Sequence, residues 1–160
     1  MSRNGWSVGL LALVMLGTCG VLATRGQPTT SGGPLLETLE AQASQFFESV
    51  SLGEVDRAYD ELLARSPLRK QEEAIRTLKE RTRQIKARFG EYRTFEQVGA
   101  QAVGDDVMVL TYLYKCEQFP VVWHITYYYR PTDARDPLAT PGSWQVISIR
   151  FDTEIEALAR

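Results

Sequence analysis

The chain has one histidine, His124, and it lies in the run VVWHITYYYR at residues 121–130. Strand alternation puts Val122, His124, Thr126, Tyr128 and Arg130 on one side of this run. Val121, Trp123, Ile125, Tyr127 and Tyr129 then fall on the other. Arg150, in a later run of the same kind, neighbours the His124 side. An imidazole, a hydroxyl, a phenol and a guanidinium on one face could together bind an anionic or carbonyl-bearing ligand. His124, Thr126, Tyr128 and Arg150, with Tyr112 from the preceding run, are therefore the candidate ligand-binding residues, provided that face turns inward.

Other chemistry finds less support. A single histidine excludes a His-rich metal site, and a Ser-His-Asp triad would have to use His124. There is no G-x-S-x-G, P-loop or C-x-x-C motif, so no catalytic residue, metal or cofactor is assigned. Asp105, Asp106, Glu117 and Asp152 all stand near strand ends or turns, not mid-strand between aromatics. Cys116 follows Lys115, and a nearby cation lowers a thiol pKa; a strand cysteine is more often a small buried hydrophobe. Lys79, Arg83 and Lys86 form a basic stripe, but Glu72, Glu73 and Glu80 are interleaved, which favours a solvated face of paired charges. A formal charge of −2 and a pI near 5.5 argue against a nucleic-acid partner.

The elements that must position these residues can be read from hydrophobic period. Residues 107–117, 121–130 and 143–152 are rich in β-branched and aromatic side chains and read as strands. Residues 92–103 make a weaker first strand, joined to the second by the Gly104-Asp105-Asp106 turn. On strict alternation, residues 143–152 place Ile147, Ile149 and Phe151 on one side and Trp144, Val146, Ser148 and Arg150 on the other. Three helices precede the strands, over 34–51, 55–65 and 69–89. Pro34 suits a helix start, Ser66-Pro67 ends the second helix, and Gly90 ends the third. The segment EIEALA forms a last short helix capped by Asp152 or Thr153. The loop 131–142, with three prolines, reads as exposed and mobile.

Residues 1–24 have a targeting architecture: Arg3, an apolar stretch from Val8 to Leu16, then small residues ending in Val21-Leu22-Ala23. Cleavage after Ala23 is one reading. An uncleaved anchor over Trp6–Thr24 is a second, and lipidation of Cys19, after Leu16-Gly17-Thr18, is a third. All three carry the folded part out of the cytoplasm, to the periplasm, the medium or the outer face of a membrane. Residues 25–33 are a Gly, Pro, Ser and Thr linker, and 34–160 form the domain. With Cys19 removed, Cys116 has no partner for an internal disulfide.

Helices first and a strand meander after them give an α+β fold, with N-terminal helices packed on one face of a curved antiparallel four-stranded sheet. Both faces of the sheet carry apolar side chains, so both need cover. Helices supply one; a ligand, a partner or a second copy supplies the other. Leu52-Gly53-Glu54 with Arg57-Ala58-Tyr59, then Tyr114-Lys115-Cys116-Glu117, Pro120, Trp123, Trp144 and Phe151-Asp152, resemble exported bacterial members of the nuclear-transport-factor-2-like (cystatin-like) superfamily. The resemblance covers residues 35–158 and implies a cone-like α+β domain. The superfamily contains isomerases, dehydratases and cyclases beside many non-enzymatic modules. Its isomerases use an interior acid with tyrosine or acid donors. The expected function is an exported, non-catalytic module that binds a small hydrophobic or anionic ligand or a protein partner through the sheet, as a homodimer. The alternative is a small isomerase, cyclase or hydrolase with an interior set drawn from His124, Arg150 and an acid.

Overall fold

The first helix, α1 (Gly33–Ser51), forms because Leu39, Ala43, Phe46, Phe47 and Val50 recur at three- and four-residue spacing and bury one face. Gly53, at φ +82°, lets the chain reverse into α2 (Val55–Leu62), which buries Val55, Ala58, Tyr59 and Leu62. In this computed structural model residues 33–131 and 142–159 are described. The export segment 1–24 with Cys19, linker residues 25–32 and loop residues 132–141 lie outside them.

The connection after α2 departs from expectation. The helix stops at Leu62, not Arg65, and Pro67–Lys70 forms a separate 3₁₀ turn before α3 (Glu72–Phe89) begins. Ser66 is the cause. Its buried hydroxyl accepts from the Leu68 backbone N–H and donates to the Val146 carbonyl on the last strand. Capping a new turn and tethering it to the sheet outweighs continuing the helix, and Pro67 suits the first position of that turn. α3 buries only Thr82 and Ile85, with Ile75, Leu78 and Phe89 partly covered. It ends at Gly90, where φ is +89° and an added Cβ would lie 3.0 Å from the Glu117 Cβ. The positive φ favours glycine, and the close approach of Glu117 adds to that preference.

Four strands follow: β1 (Tyr92–Val103), β2 (Val107–Cys116), β3 (Pro120–Arg130) and β4 (Ser143–Asp152). They form one curved, unclosed antiparallel sheet in the order β1-β2-β3-β4, and the helices pack against it. The fold is therefore α+β, as the order of elements required. A 3₁₀ helix at Ile155–Ala159 closes the described chain, and the Asp152 carboxylate accepts from the Glu154 N–H at 2.9 Å.

Strict alternation along β4 is overturned. Ser148 pairs with Thr126 and Val146 with Tyr127, so Ile147 is an extra residue with no partner across the ladder. Such a bulge reverses the phase of the strand. Val146 and Ile149, expected on opposite sides, are both buried in the core, and Ile147 is exposed at 37%. A similar shift between Gln97 and Gly99 on β1 leaves Val98 exposed.

The core is built from rings. Phe46 meets Tyr59 edge-on at 5.1 Å and Trp123 at 5.4 Å, and Phe47 lies 4.9 Å from Tyr112. Phe151 lies over Trp123 at 4.4 Å. Edge-to-face and tilted contacts of this kind add to the area term of burial.

Candidate functional site

Because Val121, Trp123, Ile125 and Tyr127 face the helices, alternation turns Val122, His124 and Thr126 to the opposite, open side of the sheet. Cross-strand register then assembles a row. His124 pairs with Thr111 on one side and Arg150 on the other, and Thr126 sits between Val109 and Ser148. The Thr111 hydroxyl lies 3.3 Å from His124 Nδ1, and His124 Nε2 lies 4.0 Å from an Asp152 carboxylate oxygen. Further along, Glu96 and Lys115 pair at 2.8 Å. Valines 107 and 109 and Leu113 of β2 alternate with these polar residues, and Val122 beside them is almost fully buried.

Burial holds the His124 pKa below its ordinary value, and the Arg150 guanidinium adds to this against the opposing pull of Asp152. The imidazole is thus neutral at neutral pH. It can donate from one nitrogen and accept at the other, and its approach to Asp152 is not a full ion pair.

The structure brings His124, Thr126 and Arg150 together on the open face. Tyr128 shares that face but lies toward the sheet end, between Val107 and Gln145. Tyr112 does not join them. It is buried on the helix side, 2% exposed, with its hydroxyl donating to Gln97 Oε1 at 3.2 Å. The five candidates therefore divide between two faces. The inward orientation that an interior His/Arg/acid set requires is not met by His124 and Arg150. On the helix side Phe46, Phe47, Tyr59 and Trp123 stand in the core instead.

Sequence reasoning missed Thr111 and Asp152 as the neighbours of His124. Asp152 was legible, standing two residues from Arg150 on the same strand. Thr111 was not, since only the β2–β3 register places it. Among the described residues no group of three or more His, Cys, Asp or Glu side chains is placed to hold a metal ion.

The remaining chemistry resolves into pairs. Lys79 lies between the Asp56 and Asp60 carboxylates at 3.3 and 2.8 Å. Arg83 reaches Asp56 and Glu80, and Lys86 reaches Glu91 at 2.7 Å. The basic stripe thus faces acids of α2 more than the interleaved glutamates of its own helix. Cys116 is a buried free thiol whose pKa burial raises, while the neighbouring Lys115 ammonium pairs with Glu96. It is not an activated nucleophile.

Comparison with known proteins finds no family model, no curated relative and no solved structure that matches the chain.

Proposed function

We propose that the chain is an exported, non-catalytic binding module of the nuclear-transport-factor-2-like kind, and that it works through the open face of its sheet with a second copy of itself as partner. One observation carries this reading. Val107, Val109 and Leu113 share a face with Thr111, His124, Arg150 and Asp152, on the side of the sheet away from the helices. A face with both apolar area and both signs of charge can complement itself across a two-fold axis. An axis near Thr111 and His124 would set the exposed Arg150 of one copy against Asp152 of the other. Apolar rows would meet between them, as in homodimer interfaces.

Helices followed by a four-stranded meander, with the opening residues of α2 and the Pro120, Trp123 and Phe151 positions in the sheet, support the superfamily. The targeting architecture of residues 1–24 supports export. Sedimentation velocity on the purified chain tests the central claim. A dimer is expected, and Val109→Glu should convert it to monomer with an unchanged far-ultraviolet dichroism spectrum. A wild-type chain that stays monomeric as concentration rises overturns the reading.

A further inference from the structure

A second site lies away from the open face, where the end of α1, the start of α2, the last turns of α3 and the Tyr92–Cys116 end of β1 and β2 leave a cleft of about 300 Å³. Its walls are Val50, Val55 and Ile85, with Tyr92, Tyr114 and Cys116 from the sheet. Leu52, 76% exposed, stands at the rim. Tyr114 is the anomaly. The residue is only 4% exposed, yet its hydroxyl makes no hydrogen bond within the described residues. Buried phenols elsewhere in the core are satisfied: Tyr59 by Thr82 at 2.9 Å and Tyr112 by Gln97. Nor is the Tyr114 oxygen sealed in like Trp123 Nε1, the orphaned buried side-chain atom among the described residues. Tyr114 is among the residues that line the cleft.

A nearly buried phenol with no partner calls for an acceptor from outside. We propose that this cleft binds a small neutral molecule with an apolar or aromatic body and one carbonyl-type oxygen, which accepts a hydrogen bond from the Tyr114 hydroxyl. The body would lie between Val50, Val55 and Ile85, against Tyr92, whose ring centroid is 4.8 Å from that of Tyr114. The Cys116 thiol is a weaker second donor. The charge on the rim decides against an anion. Arg83 is held by Asp56 and Glu80 and Lys86 by Glu91, so among the described residues no free cation lines the cleft. Burial, with Cys116 and Tyr92 adding to it, raises the Tyr114 pKa; the hydroxyl keeps its proton at neutral pH and acts as a donor.

The site is independent of the open-face dimer, and its test does not depend on oligomeric state. The full chain, labelled with ¹⁵N, is titrated with acetophenone and separately with ethylbenzene, a probe of similar shape without the oxygen. Saturable amide shifts are expected at Ile85, Tyr92, Tyr114 and Cys116, with ethylbenzene about tenfold weaker, the scale of one hydrogen bond. Tyr114→Phe, which keeps the ring, should weaken acetophenone by the same factor and leave ethylbenzene unchanged. Absence of saturable shifts at those four amides overturns the proposal. So does equal binding of the two probes to wild type, or acetophenone affinity unchanged in Tyr114→Phe.

Discussion

β3 is one strand with two different environments. On the helix side Val121, Trp123, Ile125 and Tyr127 are each 0% exposed, and Trp123 meets Phe46 and Phe47 of α1 in ring contacts. On the other side His124, Thr126 and Tyr128 stand half-buried beside their cross-strand neighbours. Residues one position apart thus answer to different constraints. The covered side is fixed by volume and shape, because close-packed interiors do not relax fully around a deletion. The open side is fixed by cross-strand pairs, each worth on the order of 0.2–1 kcal/mol, and is free to carry chemistry.

Truncation on the two sides measures that difference most directly. Trp123→Ala should cost about 3–5 kcal/mol in urea unfolding, the range for a large aromatic deleted from a closed core. Thr126→Ala, three positions along on the other side, should cost less than about 1 kcal/mol. Similar losses at the two positions would mean that the open side is covered as firmly as the core. A cost at Thr126 that grows with protein concentration would instead mark a dimer contact.

A smaller effect tests the tie between the 3₁₀ turn and the sheet. Ser66→Ala removes a cap and leaves the buried Val146 carbonyl without its donor. A loss of about 1–2 kcal/mol is expected, without change in the urea m-value. Ser66→Thr keeps the hydroxyl and should recover part of it. If Ser66→Ala is neutral, the tie is incidental and α2 ends for another reason.

How far these environments were legible depends on range. Composition and turn signals located the four described strands, and period located α1 to within a residue, because Leu39, Ala43, Phe46 and Phe47 repeat as only a one-sided helix would. Alternation also divided β3 into its two faces. It could not say which face the helices choose, and that choice decides whether His124 lines a cavity or a surface. Nor could it see the extra residue at Ile147, since a bulge depends on the partner strand and not on the strand's own composition. Placing Tyr112 with His124 was a failure of the same kind. The β2–β3 register pairs Tyr112 with Trp123 and Thr111 with His124. The turn at Pro67 was hidden because its cause, the Val146 carbonyl, is far away in sequence.

The mildest expected effect concerns pH and bears on the open face alone. His124 has a pKa below its ordinary value of 6.5 in the folded chain. As pH falls past that value the unfolded chain takes up the proton first, so protonation favours unfolding. The stabilisation is complete above the ordinary value and is lost as pH falls through the folded one. Melting temperature should therefore decline on acidification from pH about 7 to pH about 5. His124→Gln, which keeps a side-chain donor and acceptor, should flatten that decline and leave the curve above it unchanged. Two carboxylates with lowered pKa values fall below this window. Hydrogen bonds to Arg83 and Lys79 hold Asp56 below its ordinary 3.8, and a hydrogen bond to Arg76 holds Glu73 below its ordinary 4.5. Their contributions fade only at lower pH. An identical slope in wild type and His124→Gln would show that the imidazole sees water in both states. The row through Thr111, His124 and Arg150 would then be ordinary exposed sheet.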